Sequence, residues 1–279
     1  MSTPEELRPD RLARALEDRG FDSLWYGEHS HIPVSRLTPY PRGGTMPDLY
    51  KRMMDPFISL MAAGSASTTL LVGTKICLAL ERDLFELAKT VSTLDLLTGG
   101  RVRFGVGVGW NREELADHSS VPFAQRYLAL GERVDALRTL WTEEEPEFHG
   151  RWIDFPPAWS FPKPVQRPHP PVLAGMSGPL GMREAVAWSD GWMPIDAALG
   201  DVAGKVAIFR TILEANDRDP ATFPISMVAF GDPTEATLDQ YRDLGLDRVI
   251  LGPGRARWDE PDQTFPFLDR YAGLLPALT

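Results

Sequence analysis

Residues 99–114 read GGRVRFGVGVGWNREE, and this stretch decides the fold. A Gly-Gly turn leads into an apolar strand that ends in alternate glycines, Gly105, Gly107 and Gly109, followed by Trp110 and Asn111. A buried strand whose last residues lack side chains lets a large flat molecule lie against its backbone. In parallel α/β proteins, ligands bind at the carboxyl ends of the strands. The stretch therefore predicts a planar cofactor with Gly107, Trp110 and Asn111 among its contacts, although the last two residues could instead only roof the fold.

The composition limits the class of protein. Of the 279 residues, 43% are hydrophobic, which is enough for one large domain or two small ones. The 29 Lys and Arg against 39 Asp and Glu give a formal net charge of −10, and such a surface repels nucleic acid. The single cysteine, Cys77, fits a reducing compartment, and no stretch resembles a secretory signal or a membrane span. We therefore expect a cytoplasmic protein that binds neither nucleic acid nor membrane.

Apolar strand-like segments alternate with helix-like segments along the chain. Seven candidate strands begin near residues 21, 70, 102, 171, 191, 225 and 247, and their continuous apolar runs indicate a parallel sheet. Right-handed crossovers of this length favour a TIM-type (β/α)8 barrel. That barrel has eight strands, so we expect an α/β barrel that lacks its first strand or stays open there. We interpret residues 1–279 as one domain, with the proline-rich residues 156–171 as an insertion loop.

Two histidines follow the first candidate strand, at the end where a barrel binds its ligands. In Glu28-His29-Ser30-His31, the His29 imidazole can donate or accept a proton near neutral pH. The alternative is a loop histidine that makes only local hydrogen bonds. Two histidines at positions i and i+2 of a loop are not a typical metal-binding pair, so we expect no metal.

Lys75 interrupts the apolar run of the second candidate strand, where a buried ammonium is costly unless it is paired. Either Lys75 already lies beyond the core, or the backbone bulges there towards a cofactor ring. A second candidate ligand site is a run of small residues between a later strand and a helix. Its free backbone amides and the helix N-terminus together form an anion site, although a plain tight turn has the same composition. The run consists of Gly175, Met176, Ser177 and Gly178.

Several motifs occur in order along the chain, at residues 20–29 (GFDSLWYGEH), 72–74 (VGT), 94–101 (LDLLTGGR) and 105–111 (GVGVGWN). Together they resemble the luciferase-like monooxygenase superfamily. Two later segments are residues 161–171 (FPKPVQRPHPP) and 189–194 (SDGWMP). They resemble the branch of coenzyme F420-dependent (deazaflavin-dependent) oxidoreductases.

The resemblance implies a barrel that binds a flavin or a deazaflavin at its C-terminal mouth. His29 is similar in position to the histidine that transfers a proton beside the ring. Lys75 and Ile76 fall where many relatives have a cis peptide bond behind the ring, and residues 175–178 fall on the loop for the cofactor phosphate. Trp110 stands where some relatives have a glutamate.

These observations lead to three functional hypotheses. The first is an F420-dependent oxidoreductase that transfers a hydride to or from a small organic substrate, with His29 as proton donor or acceptor. The second is a reduced-FMN-dependent monooxygenase on the same barrel. The third is a barrel without redox activity that acts as a non-redox enzyme or a binding protein. We also expect residues 29–47 and 156–171 to cover the pocket, and a homodimer to cover the open side of the barrel.

Overall fold

The computed structural model describes residues 2–252 and 263–275. The strands, in chain order, are β1 (Ser23–Tyr26), β2 (Leu71–Thr74), β3 (Val102–Val106), β4 (Phe148–His149), β5 (Asp154–Phe155), β6 (Val172–Ala174), β7 (Gly191–Trp192), β8 (Ser226–Phe230) and β9 (Arg248–Gly252). The α-helices are α1 (Pro9–Glu17), α2 (Pro56–Ser65), α3 (Leu84–Thr98), α4 (Arg112–His118), α5 (Arg126–Thr142), α6 (Pro179–Trp188), α7 (Asp196–Leu199), α8 (Val202–Glu214), α9 (Glu235–Asp243) and α10 (Thr264–Ala272).

The seven predicted strands are all present, and they pair in parallel. Strands β1, β2, β3, β6 and β7 form one hydrogen-bonded sheet in that order, and β8 pairs with β9. Parallel bridges from Trp192 to Ile225 and from Ile195 to Val228 join the two sheets. The wall of the barrel therefore runs without a break from β1 to β9. The antiparallel β4–β5 hairpin lies outside this wall and was not predicted.

The barrel is open between its first and last strands. Within the described residues, no strand pairs with the outer edge of β1 or of β9, and residues 2–8 contain no strand. The structure thus agrees with the expectation of an α/β barrel without its first strand. The homodimer expected to cover this side stays a prediction.

Two groups of apolar side chains hold the barrel together. A small group inside the barrel comprises Trp25, Leu173, Met193, Val228 and Ile250, all buried. A much larger group packs the helices against the outside of the sheet. Inward-facing and outward-facing apolar side chains on the same short strands explain the continuous apolar runs in the sequence. None of the described helices is both long and apolar enough to cross a membrane.

The proline-rich segment 156–171 lies at the amino end of the barrel, so the expectation that it covers the pocket is wrong. The buried carboxylate of Asp95, on α3, accepts hydrogen bonds from the backbone N–H groups of Val165 and Gln166. The Gln166 side chain donates to Asp95 and to the carbonyl of Val102, at the start of β3. These bonds fix the segment beside the first residue of a strand, on the side away from the ligand-binding ends.

Candidate active site

A cavity of about 750 Å³ opens at the carboxyl ends of the strands. One part lies at the mouth of the barrel and is lined by His29, Tyr50, Ile76, Trp110 and Met176. The other part extends along the gap between β1 and β9, where α1 and α10 contribute Leu12, Leu16, Phe267 and Leu268. The loop of residues 29–47 contributes His29, Pro41 and Arg42, which confirms that this loop borders the pocket.

His29 lies at the mouth of the barrel. Its Nδ1 lies 2.6 Å from Glu114 Oε2, and the side chains of His29 and Glu114 are only 7% and 1% exposed. The second oxygen of Glu114 accepts the backbone N–H of Ser30 at 3.2 Å. A buried carboxylate needs such partners, because an unpaired charge away from water is costly. The loop after β1 and the start of α4 are therefore tied together at the imidazole.

The hydrogen bonds around His29 define which nitrogen carries the proton. Trp110 Nε1 lies 3.2 Å from His29 Nε2, and an indole N–H can only donate. The lone pair that accepts this bond is on Nε2, so the proton of the neutral ring is on Nδ1 and is donated to Glu114. The ring centroids of Tyr50 and Trp110 lie 5.4 and 5.6 Å from that of His29. The Nε2 atom of His29 is thus an acceptor in an aromatic environment.

Asn111 positions Glu114 through helix α4. Its side-chain oxygen accepts the backbone N–H groups of Glu113 and Glu114 at 3.2 and 3.4 Å, as an N-cap residue does. Asn111 is buried and does not line the cavity. The structure gives this side chain a capping role, and its predicted contact with a cofactor stays a prediction. Trp110, by contrast, lines the cavity as expected.

The floor of the mouth is formed where β2, β3 and β6 end. The peptide bond between Lys75 and Ile76 is cis, as the family resemblance implies. The Ile76 side chain fills the space that two glycines leave: a Cβ on Gly107 would lie 2.0 Å from Ile76 Cδ1, and one on Gly175 would lie 2.3 Å from Cγ2. Ile76 and Gly175 line the cavity, whereas Gly107 lies against Ile76 and is not part of the lining.

The predicted phosphate loop lies beside this floor. Gly175, Met176 and Ser177 line the cavity, and the Met176 carbonyl accepts the indole N–H of Trp192 at 2.6 Å. Gly178 is the N-cap of α6, and a Cβ built on it would meet nothing within 4 Å. The loop therefore leaves open space at a helix N-terminus, which is favourable for an anion.

Two further buried glutamates lie near the Glu114–His29 pair. Glu28 accepts the backbone N–H of Leu78 and binds the guanidinium of Arg82. Glu81 is also buried, and its Oε2 has no hydrogen-bond partner. Burial, with added repulsion from Glu114 and Glu28, raises the pKa of Glu81 to about 9. Glu81 is therefore a neutral carboxylic acid at neutral pH.

The sequence interpretation missed Glu114 and Glu81. A signal for Glu114 was present, because an asparagine three residues before a glutamate is typical of a helix N-terminus. No local pattern identifies Glu81, whose environment depends on chain segments that are distant in sequence.

His31 belongs to a different, exposed network outside the cavity lining. Its Nε2 lies 2.9 Å from Asp117 Oδ2, and its Nδ1 lies 2.9 Å from Ser30 Oγ, which also contacts His118. Within residues 2–252 and 263–275, no group of three His, Cys, Asp or Glu side chains could hold a metal ion.

Comparison with known proteins identifies the family. The sequence pattern described as luciferase-like monooxygenase matches residues 8–263. The chain belongs to the luciferase-like monooxygenase family. It is 37% identical to an uncharacterized protein of Mycobacterium tuberculosis over 274 residues, which cover 96% of this chain and 94% of that protein.

Two solved structures are similar to this member of the family. One is the monooxygenase RslO1 from Streptomyces bottropensis, with a TM-score of 0.76, 20% identity and coverage of 98% and 93% of the two chains. The other is an F420-dependent secondary alcohol dehydrogenase in complex with an F420-acetone adduct, with a TM-score of 0.75, 19% identity and coverage of 98% and 96%. These likenesses show the luciferase-like TIM-barrel fold. The relatives of the chain include both F420-dependent and FMNH2-dependent enzymes.

The residues present fit a flat cofactor with a phosphate group. The cavity, including its part along the gap between β1 and β9, has a volume within the range of ligand pockets, which is about 300–1,000 Å³. Ile76 and Gly175 line the bottom of the mouth, and Trp110 lines its side. The loop before α6 leaves space for an anion. The family's redox cofactors have a planar ring and an anionic tail, which match these two parts of the site.

Proposed function

We propose that this luciferase-like protein is an oxidoreductase that transfers a hydride between coenzyme F420 and a small hydroxyl or carbonyl compound. His29 is the catalytic residue that takes or returns the hydroxyl proton. The observation that carries this proposal is the pair of contacts of the imidazole: Nδ1 lies against Glu114, and Nε2 accepts the Trp110 N–H beside the cavity.

The state of His29 suits alcohol oxidation. When a hydride leaves the carbon of an alcohol, the O–H proton must leave as well, and a base within hydrogen-bond reach must accept it. Nε2 can accept this proton, and the Glu114 carboxylate then stabilises the imidazolium that forms. In the reverse direction the same imidazolium returns the proton to a carbonyl oxygen. The reaction needs no protein nucleophile, since the hydride moves directly between substrate and cofactor.

The other residues of the mouth bind and orient the cofactor and the substrate. A bound deazaflavin supplies a ring carbon that accepts or donates the hydride. Ile76 and Gly175 would contact the ring, with Gly107 leaving the space that the Ile76 side chain fills, and Gly175, Met176, Ser177 and Gly178 would hold its phosphate. The Trp110 indole N–H donates a hydrogen bond to His29 Nε2 until a substrate hydroxyl takes its place as donor. The Trp110 side chain thereby keeps water away from the base.

A side-by-side titration of the purified chain with F420 and with FMN tests the choice of cofactor. We expect quenching of protein fluorescence by F420 at micromolar concentrations, and reduction of bound F420 by a secondary alcohol without oxygen. Tight FMN binding with oxygen-dependent turnover would instead favour a monooxygenase. Failure of both cofactors to bind would favour a barrel without redox activity.

A further inference from the structure

Two cations share one aromatic ring at the edge of the cavity. The ammonium of Lys75 lies 4.9 Å from the ring centroid of Phe230, and the guanidinium carbon of Arg42 lies 4.4 Å from the same centroid. All three residues line the cavity that contains His29. They come from three separate segments: the end of β2, the loop of residues 29–47, and the end of β8.

Neither of the two cations has a carboxylate partner among the described residues. Lys75 Nζ and the Arg42 guanidinium form no hydrogen bond or ion pair with any residue in the described part of the chain. Desolvation of Lys75 lowers its pKa to about 8; the charge of Glu6 opposes this decrease, and Arg42 adds to it. Among the described residues, the charges that act on Lys75 are one carboxylate, Glu6, and one further cation, Arg42, so Lys75, Arg42 and Glu6 together sum to a positive charge. A ring face attracts a cation, but it does not replace an oxyanion.

Arg82 shows the contrast with a cation that has both a ring contact and carboxylate partners. Arg82 lies 4.8 Å from the Phe57 ring, and its guanidinium also binds Glu28 and Asp55. The ring contact of Arg82 therefore accompanies a complete set of ionic partners, whereas those of Lys75 and Arg42 do not.

We infer that Lys75 and Arg42 form a subsite for an oxyanion of the substrate, a carboxylate or phosphate, with Phe230 as the surface that holds both cations in place. As a statement about the substrate, this inference rests on the proposed function. It narrows the substrate class to hydroxyl or carbonyl compounds that carry an acidic group. The oxyanion would bind at one edge of the cavity, while the reacting carbon lies near His29.

Calorimetric titration of the full chain, before any cofactor is added, tests the subsite with benzoate and its neutral analogue benzamide. We expect benzoate to bind at least about tenfold more tightly than benzamide, as for a charge-assisted hydrogen bond. Lys75→Gln and Arg42→Gln should each remove most of this difference. The matched control is Arg112→Gln, since Arg112 is exposed, lies 4.7 Å from the Phe123 ring and does not line the cavity. It should bind benzoate like the unaltered chain.

Equal binding of benzoate and benzamide, or unchanged benzoate affinity in both Gln variants, overturns the inference. Arg42 is exposed, so Arg42→Gln decides the matter if Lys75→Gln does not fold. Binding of FMN and of riboflavin, which differ by a phosphate, tests whether the two cations instead bind the phosphate of the cofactor. If Lys75→Gln weakens FMN but not riboflavin, the two cations hold the cofactor phosphate and the assignment to substrate is wrong.

A kinetic comparison connects the subsite to turnover. With F420, mandelate should have a lower KM than 1-phenylethanol, and Lys75→Gln should raise only the KM for mandelate. If the chain binds benzoate more tightly than benzamide but binds no deazaflavin, the subsite is supported and the proposed function is wrong.

Discussion

Glu114 Oε2 and His29 Nδ1 are 2.6 Å apart, in a pair that is almost fully buried. The two residues are 85 positions apart in the sequence, and α4 brings the carboxylate under the loop after β1. The carboxylate sets both the orientation of the ring and the nitrogen that carries the proton. Without it, His29 could present a proton donor rather than an acceptor to the cavity.

The first prediction is that Glu114→Gln lowers kcat about 100-fold or more, with a small effect on KM. A glutamine amide can donate to Nδ1, which places the proton of the neutral ring on Nε2, the wrong atom for a base. Steady-state kinetics with F420 and a secondary alcohol measure the effect. Asp117→Asn is the matched control, because Asp117 pairs with the exposed His31 at 2.9 Å outside the cavity lining. Equal losses in both variants would contradict the role of Glu114.

The second prediction concerns Asn111, which caps α4. Asn111→Ala removes the acceptor for two backbone N–H groups and should destabilise the fold by about 1 kcal/mol. It should also lower kcat, since the turn that carries Glu114 loosens. The matched control is Asp83→Ala, because the Asp83 side chain caps α3 by accepting a 3.0 Å hydrogen bond from the Glu86 N–H. Thermal unfolding should show similar losses in both variants, but only Asn111→Ala should lose activity.

The third prediction uses the raised pKa of Glu81, about 9. An ordinary glutamate loses its proton near pH 4.5, so between pH 4.5 and 9 the folded chain binds a proton that the unfolded chain does not. Stability therefore falls as pH rises through this window. Glu81→Gln removes this dependence and should increase the free energy of unfolding at pH 8 by on the order of 2 kcal/mol. Denaturant unfolding at pH 5 and pH 8 measures the free energy of unfolding of both chains. A Glu81→Gln variant that is less stable than the unaltered chain at pH 8 would contradict the raised pKa of Glu81.

The fourth prediction concerns the floor of the mouth. Gly175→Ala places a methyl group 2.3 Å from Ile76 Cγ2, so the chain must shift and the melting temperature should fall. Gly178→Ala adds a methyl group where nothing lies within 4 Å and should leave the melting temperature nearly unchanged. A similar decrease in both variants would show that the close contact with Ile76 is not the cause.

The sequence predicted the barrel well, because its strands are buried on both faces and appear as continuous apolar runs. All seven were placed correctly, from Ser23–Tyr26 to Arg248–Gly252. The position of residues 156–171 was wrong, because composition does not show which end of a barrel a loop covers. That position depends on Asp95, whose partners Val165 and Gln166 are about 70 residues away along the chain.

The sequence predicted cavity-lining residues only where a single local motif contains them. His29, Trp110 and the loop from Gly175 to Ser177 border the cavity as expected. Asn111 caps α4, a role that depends on where this helix begins, and its expected contact with a ligand stays a prediction. The Lys75 side chain reaches Phe230 on β8, and no spacing in the sequence could predict that contact.

The central claim is that His29 moves the proton while a hydride passes to or from F420. Anaerobic single-turnover reduction of F420 by a secondary alcohol, with the unaltered chain and with His29→Gln, tests it most directly. We predict unchanged F420 affinity and a rate lower by a factor of about 100 to 10,000 in His29→Gln. Reduction of F420 at an equal rate by both chains would contradict the claim.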